Sequence, residues 1–320
     1  MLPKISVIAV TARAGGFDIL VNCFAAQTFP QHQFEVIIVD SFWDERHEFV
    51  KDRLPGNFEH LKLENERPFY DACYANNFGL ANACGELIIH FCDMNWAHER
   101  CLEEHWRIYT EHKGYSLSGF CDRFPIPKLK EPKVVQGGTG WDWEEIAWSC
   151  FQEDLTAERA NQIFTGMEPS YRERKGITTT GLTEISGNVF YAALNESIPM
   201  SVLKEINGWD MDYDGGRGSA DTDLGMRANY AGWKFLCDPS SAMINRKFGQ
   251  EGTSHVFPTK PKEQQPRTTA QNAVYFDHRA KQLKEGACGP RCENGLDQIY
   301  HTFHRDGWDI RIPKTSLTIP

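Results

Sequence analysis

The sequence has no apolar run long enough for a membrane helix. Its longest apolar stretches, such as Ile5 to Val10 and Val36 to Val39, have the length of strands, whereas a membrane helix needs about 20 apolar residues. The first four residues lead directly into such a stretch and show no signal-peptide pattern. We therefore expect a soluble, cytoplasmic protein without a transmembrane segment.

Two nucleotide-binding motifs are also missing. The first predicted strand is followed by TARAGGFD rather than G-x-G-x-x-G, which disfavours a dinucleotide-dependent oxidoreductase. The chain contains no P-loop and no internal repeat. These absences exclude the commonest nucleotide-binding and repeat classes but leave other α/β enzymes open.

An excess of basic residues is lacking as well. Lys and Arg total 34 against 44 Asp and Glu, a net charge of -10, which argues against a general nucleic-acid or anionic-membrane surface. With 320 residues, of which 41% are hydrophobic, the chain is long enough to bury one large core or two modest cores. The composition therefore predicts an ordered globular protein.

Ten cysteines are scattered along the chain, and several, including Cys23 and Cys92, lie within apolar or helical pattern. Free thiols in a reducing compartment explain this distribution better than a disulfide framework. One C-terminal cluster has spacing that suits zinc, although two unrelated thiols are the favoured interpretation. Its members are Cys288, Cys292, His301 and His304.

Strand and helix patterns alternate through the first third of the chain. Apolar, strand-like runs lie at residues 4–10, 34–40, 58–63 and 86–92. Helical patterns lie at residues 17–27, 44–53, 69–83 and 98–112. Such alternation predicts βαβ crossovers and a mostly parallel sheet that is buried on both faces.

Polar residues follow three of the predicted strands directly. Thr11, Asp40 and Asp93 should meet at the edge where parallel strands end, which is where open sheets bind ligands. Asp93 and Asn95 have the spacing to direct two oxygens at one divalent cation. In the alternative interpretation, which spacing alone favours, Asp93 caps the following helix and Asn95 makes a turn.

Four sequence blocks occur in an order that is typical of one enzyme family. They are ISVIAVTAR (5–13), AAQTFPQHQFEVIIVDS (25–41), NNFGLANACGELIIHFCDMN (76–95) and NESIPMSVLKEINGWDMDYDGGRGSADTDLGMRANYAGWKF (195–235). Over residues 4–112 and 186–255 the chain resembles a family 2 glycosyltransferase. The resemblance implies a GT-A type (Rossmann-like) mixed, mostly parallel sheet flanked by helices, with an inserted segment and a C-terminal extension.

The resemblance also implies a reaction. A sugar would move from a nucleoside diphosphate sugar, with a UDP-sugar as the expected donor, to an acceptor hydroxyl with inversion. Asp221 would be the general base, since the attacking hydroxyl must lose its proton. In the alternative interpretation, Asp221 is a structural acid in the first turn of a helix, where the helix dipole favours a negative charge. Asp223 is a competing candidate for the general base. Mn²⁺ or Mg²⁺ would sit on the diphosphate.

The binding residues implied by the resemblance fall into three groups. Nucleotide-sugar contacts are assigned to Thr11, Arg13, Asp40, Asn77 and Asp93. Metal ligands are assigned to Asp93, Asn95 and His255. Acceptor-side positions are assigned to Trp209, Asp210 and Asp223.

The chain is expected to divide into four regions. Residues 1–112 are the nucleotide-sugar-binding half, 113–185 an insertion or lid with a possible acceptor element, 186–257 the acceptor and catalytic-base half of the same domain, and 258–320 a C-terminal extension. A glycan, a lipid-linked and a DNA acceptor all stay open. The alternatives to a glycosyltransferase of this general kind are a catalytically inactive nucleotide-sugar or glycan binding module and a glycosyltransferase that acts on hydroxylated bases in DNA.

Overall fold

The computed structural model describes the backbone of residues 2–13, 15–64, 67, 69, 71–93, 95–125, 181–185, 195–247 and 266–305. Side chains are described in the same ranges except at 120–125, 239–247 and 304–305. Most of the predicted insertion, His255 and the polar segment before residue 266 lie outside the described residues.

The described ranges contain strands and helices in alternation. The strands are β1 (Ile5–Thr11), β2 (Phe34–Asp40), β3 (Phe58–Lys62), β4 (Leu87–Cys92), β5 (Asn95–Ala97), β6 (Tyr115–Pro125), β7 (Thr183–Ile185), β8 (Glu196–Pro199) and β9 (Lys234–Lys247). The helices are α1 (Phe17–Ala25), α2 (Trp43–Val50), α3 (Ala72–Asn82), α4 (Cys101–Glu111), α5 (Met200–Glu205), α6 (Ala220–Tyr230), α7 (Thr269–Lys284) and α8 (Leu296–Arg305).

All these strands join one sheet, in the order β3-β2-β1-β4-β8-β6-β9-β5, with β7 paired to β9. β1 is parallel to β2 and β4, and β2 is parallel to β3. β8 runs antiparallel to β4 and β6, whereas β6 and β9 are parallel. The predicted mixed, mostly parallel sheet flanked by helices is confirmed.

The first strands are apolar throughout because helices cover both faces of the sheet. In β1, Ile8 packs into a core with residues of α3, α6 and α8. Its neighbours Val7 and Ala9 pack into a second core with residues of α1 and α4. Alternate side chains of one strand therefore build two different cores.

One prediction about the end of β4 is wrong. Asn95 does not make a turn before a helix, because residues 95–97 form β5 and pair with β9, with Asn95 opposite Asn245. Asp93 therefore does not cap a helix near Ala97, and α4 begins only at Cys101. The pairing partner of β5 lies about 150 residues further on, so local spacing carries no sign of it.

The C-terminal helices belong to the same core as the first strands. In α8, Leu296, Ile299 and Phe303 are buried in the core that contains Ile8. The ring of Phe303 packs against that of Phe78 in α3 at a centroid distance of 5.1 Å. Within the described ranges, no helix is long and apolar enough to span a membrane.

Two buried histidines couple folding to pH. Burial lowers the pKa of His90 to about 3 and that of His105 to about 4, whereas an unfolded histidine titrates near 6.5. Between these values the unfolded chain binds protons that the folded chain does not bind. The stabilisation is therefore complete above pH 6.5 and is lost as the pH falls towards 4.

We expect the free energy of unfolding to fall by about 1.4 kcal/mol per pH unit for each of these histidines across this window. His90→Gln should reduce the slope by one such contribution, because glutamine does not titrate and its amide oxygen can still accept a bond from the indole of Trp209. Urea unfolding of both proteins at pH 7, 6 and 5 measures the difference. Equal slopes would contradict the assignment to His90.

Candidate functional site

Side chains from the ends of β1, β2 and β4 meet at one edge of the sheet. Thr11 is the register partner of Asp40, and Asp93 follows Cys92, which lies opposite Val10. The hydroxyl of Thr11 donates to Asp93 Oδ2 at 2.8 Å. Arg13 Nη1 forms an ion pair with Asp93 Oδ1. The parallel register thus joins residues 82 positions apart in the sequence.

Asp40 is fully buried and its carboxylate is saturated with donors. Oδ1 accepts from the Phe42 amide at 2.8 Å and from Arg46 Nη2 at 2.7 Å. Oδ2 accepts from Arg46 Nε and lies 2.8 Å from His60 Nε2. Burial alone would raise the pKa of Asp40, but the charge of Arg46 and the hydrogen bonds from His60 and Arg46 outweigh it and hold that pKa below its ordinary value. Asp40 therefore links the end of β2 to α2 and β3 beneath the surface of the site.

Arg46 is a site residue that the sequence analysis missed. Its guanidinium is fully buried beside Asp40, and Nη1 donates to the carbonyl of Arg13 at 2.8 Å. The aromatic ring of Phe17 lies 4.4 Å from the guanidinium carbon. Arg46 therefore connects the end of β2 to the loop after β1.

Among the described residues that meet at this edge, Arg13 is the charged residue whose side chain is partly exposed to solvent. Its side chain is 32% exposed, whereas the side chain of Asp93 is 2% exposed. Thr11 and Asn95 are also buried. An exposed guanidinium suits recognition of a phosphate, because its planar fork of N–H groups matches phosphate oxygens.

The donor set suits a divalent cation only when a ligand completes it. Asp93 and Asn95 offer a carboxylate and an amide oxygen, which hard cations prefer, and Mg²⁺ is commonly held by one or two carboxylates plus substrate phosphates. Throughout the residues that the structure describes, no group of three or more His, Cys, Asp or Glu side chains could hold a metal by itself. His255 lies outside the described residues.

The described members of the possible zinc cluster near the C-terminus do not form a metal-binding group of this size either. Cys292 is buried and its Sγ lies 3.4 Å from the carbonyl oxygen of Asn207. Gly295 packs so closely there that a Cβ would lie 2.8 Å from this sulfur. Cys292 therefore packs as a core thiol in the described part of the chain.

Asn77 lies inside the protein, in α3, and clamps the backbone of Trp209. Its Oδ1 accepts from Trp209 N at 2.8 Å, and its Nδ2 donates to Trp209 O at 2.8 Å. The indole of Trp209 then donates to His90 Nε2 at 2.9 Å. The structure thus places Asn77 and Trp209 in a buried joint between α3, β4 and the 208–210 segment.

The acidic residues around α6 differ in how far they are exposed to solvent. Asp223 is fully buried and its Oδ2 lies 2.6 Å from Arg227 Nε. Asp210 is buried and accepts from the Tyr275 hydroxyl at 3.0 Å. Asp221 is only half-buried, lies in the first turn of α6, and accepts from the Thr222 amide at 2.9 Å. Of the three residues that carry these carboxylates, Asp221 is the most exposed to solvent.

Helix α6 packs on the same face of the sheet as α3. Leu224 and Ala228 join the core that contains Ile8 and Ile88. The guanidinium of Arg227 donates to the carbonyls of Ile206 and Gly208 at 2.8 Å each. The buried joint at Trp209 therefore links the helix of Asp221 to β4, the strand that leads into Asp93.

Comparisons with known proteins identify the fold. No protein-family model matches the sequence, and no curated protein matches it. The solved structure of GalNAc-T7 with UDP, GalNAc and Mn²⁺ matches with a TM-score of 0.56 at 13% identity, over 97% of this chain and 59% of that chain. S. aureus TarS 1-349 with UDP-GlcNAc matches with a TM-score of 0.48 at 16% identity, over 79% of this chain and 61% of that chain.

A second structure of S. aureus TarS also matches with a TM-score of 0.48 at 16% identity, over 76% of this chain. The matched part amounts to only 36% of that solved chain. At identities of 13–16% the similarity shows only that the backbones share a fold. The assignment of the fold depends on the match to GalNAc-T7, which has the higher TM-score. This chain has a fold of the GT-A type.

Proposed function

We propose that this protein is a glycosyltransferase that moves a sugar from a nucleoside diphosphate sugar, expected to be a UDP-sugar, to an acceptor hydroxyl. The observation that carries the proposal is the meeting of Thr11, Arg13, Asp40 and Asp93 at the carboxyl edge of β1, β2 and β4. In open α/β sheets this edge is where nucleotides bind. The GT-A fold and the four ordered sequence blocks support the same assignment.

On the donor side, the exposed guanidinium of Arg13 is the group that meets the diphosphate. The Arg46–Asp40 pair fixes its backbone, because Arg46 donates to the Arg13 carbonyl. Asp93 and Thr11 lie beneath it and face the ribose. Asp40 orients these groups and does not touch the donor itself, since its oxygens are already occupied.

A divalent cation, Mn²⁺ or Mg²⁺, belongs to the proposal as a partner of the donor. Asp93 and Asn95 would hold it together with the phosphate oxygens, and when bound it supplies positive charge to the departing diphosphate. The solved structure of GalNAc-T7 contains UDP, GalNAc and Mn²⁺, which supports this assignment. Because Asp93 is now paired with Arg13, cation binding depends on a rearrangement of that pair.

On the acceptor side, Asp221 is the general base. It takes the proton of the attacking hydroxyl while the bond between the sugar and the diphosphate breaks, in a single displacement that inverts the anomeric carbon. Its half-buried position supports this role, since the neighbouring Asp223 is enclosed by Arg227.

A thermal-shift panel tests the donor assignment. A UDP-sugar at 100 times its Kd with Mn²⁺ should stabilise the protein by about 2.7 kcal/mol, whereas 1 mM Mn²⁺ alone should change the Tm by less than about 1 °C, because the protein offers it one carboxylate and one amide. Asp93→Asn should remove the Mn²⁺-dependent part of the shift. Asp44→Asn, which alters an exposed acid paired with Lys62, is the control.

The proposal predicts synergy between the nucleotide sugar and the metal in this panel. A shift with Mn²⁺ alone as large as that with both ligands would contradict a site completed by phosphate. No shift with any nucleoside diphosphate sugar, with or without Mn²⁺, would contradict the proposed function.

A further inference from the structure

The loop before the proposed base ends in a residue with a strained backbone. This base loop, residues 210–219, contains Gly215 and Gly218 with φ of 90° and 89°, followed by Ser219 with φ of 69°. A serine in the left-handed region is strained, and such strain persists only where surrounding contacts hold it. Asp221 follows two residues later, so whatever holds the base loop also places its carboxylate.

The contacts that hold the base loop come from the start of α7. Asn272 is fully buried, and its Nδ2 donates to the carbonyls of Tyr213 at 3.0 Å and Gly218 at 3.4 Å. One amide group thus connects Tyr213, which precedes the glycines of the loop, to Gly218, the last of them. The Arg267 amide adds a bond to the Gly215 carbonyl at 3.1 Å.

The base loop also lies very close to this segment at two of its glycines. A Cβ on Gly215 would lie 2.5 Å from Pro266 Cγ. A Cβ on Gly216 would lie 3.0 Å from the Arg267 carbonyl oxygen and 3.1 Å from Asn272 Nδ2. Gly215 is therefore favoured both by its positive φ and by the approach of Pro266, and Gly216 by the approach of Arg267 and Asn272.

The start of α7 is itself fixed, so Asn272 is a firm support. Thr268 and Gln271 form a capping box, in which Thr268 Oγ1 accepts from the Gln271 amide at 3.2 Å and Gln271 Oε1 accepts from the Thr268 amide at 2.7 Å. Further along α7, Arg279 Nε lies 3.5 Å from Asp223 Oδ1. Helix α7 thus contacts both the base loop and α6.

We propose that Asn272 is a positioning residue for catalysis: it acts through the base loop to hold Asp221 where the acceptor hydroxyl binds. This inference rests on the proposed function and deepens it, because it makes part of the C-terminal extension a component of the acceptor half. Asn272 itself touches neither donor nor acceptor.

The test compares Asn272→Ala with Arg291→Ala. Arg291 also ties the C-terminal region to two backbone carbonyls, those of Lys204 and Glu205 at 2.9 and 3.1 Å, but it does not contact the base loop. Both variants thus lose two bonds to backbone carbonyls, and Arg291→Ala also loses the ion pair with Asp297. Hydrogen–deuterium exchange of the 213–222 amides, the Kd for UDP, and kcat and KM for the donor are measured on full-length protein.

We expect Asn272→Ala to speed exchange of the 213–222 amides about tenfold and to lower kcat about tenfold, while the donor KM and the Kd for UDP change less than twofold. Arg291→Ala should leave all of these within twofold of wild type. A purely structural role would lower kcat and UDP binding together through loss of folded protein. Equal kcat losses in the two variants, or unchanged exchange in Asn272→Ala, would overturn the proposal.

Two further measurements keep the outcome decisive. If Asn272→Ala does not fold, Tyr275→Phe replaces it. This change removes the hydroxyl bonds from α7 to two acids of the base loop, Asp210 and Asp212, and should give the same pattern at about threefold. If wild-type protein transfers no sugar from any donor, the proposed function fails. The exchange comparison still shows then whether Asn272 holds the loop.

Discussion

Replacing Asp221 with Asn is expected to lower the rate of sugar transfer by about 10²- to 10⁴-fold, the range that general bases contribute. Asparagine keeps the size of the side chain and can still accept from the Thr222 amide, as Asp221 does at 2.9 Å. What it loses is the ability to take a proton. The Kd for UDP should therefore stay within twofold of wild type, because the donor-side residues are untouched.

Release of UDP and formation of glycosylated acceptor measure this effect. Asp277→Asn is the matched control, since it makes the same change at an exposed position of α7 and should retain wild-type turnover. Unchanged turnover in Asp221→Asn would remove the base assignment. Donor binding without any turnover in wild type would instead favour the inactive binding module.

Replacing Arg46 with Ala is expected to destabilise the protein by about 3 to 5 kcal/mol, the cost of removing one partner of a buried ion pair. Asp40 would then remain fully buried with His60 and the Phe42 amide but without its cation. Because Arg46 also donates to the Arg13 carbonyl, UDP binding should weaken as well.

Chemical denaturation of Arg46→Ala and Lys62→Ala gives the comparison. Lys62 forms an exposed pair with Asp44 at 2.7 Å, and such surface pairs contribute less than about 1 kcal/mol. Similar losses of stability in the two variants would contradict the view that Arg46 stabilises the edge formed by the ends of β1, β2 and β4.

Sequence pattern was sufficient to predict that polar residues after three strands meet at one edge of the sheet. Continuous apolar runs indicated strands buried on both faces, and the residues after them, Thr11, Asp40 and Asp93, meet where parallel strands end. This inference needs only the position at which each strand ends and the alternation of side chains along a strand, both of which can be read from local sequence. The catalytic roles of these residues stay predictions, which the variants above test.

Long-range partners were not predictable in the same way. The pairing of β5 with β9, the burial of Arg46 beside Asp40, and the contact of Asn272 with the base loop depend on segments that are far apart in sequence. A charged helix residue such as Arg46 also resembles a surface residue, because most arginines are exposed. Asn77 shows the reverse case: a motif residue that packs inside the protein instead of lying at the rim.

The burial of α8 against α3 has a consequence for synthesis of the chain on the ribosome. Phe78 in α3 emerges more than 200 residues before Phe303, the ring that covers it. Until then the nascent polypeptide presents an unfinished apolar face, which is the kind of surface that chaperones bind. Translation must therefore pass residue 303 before this core can close, so the part of the fold that contains β1 and α3 is completed late rather than early.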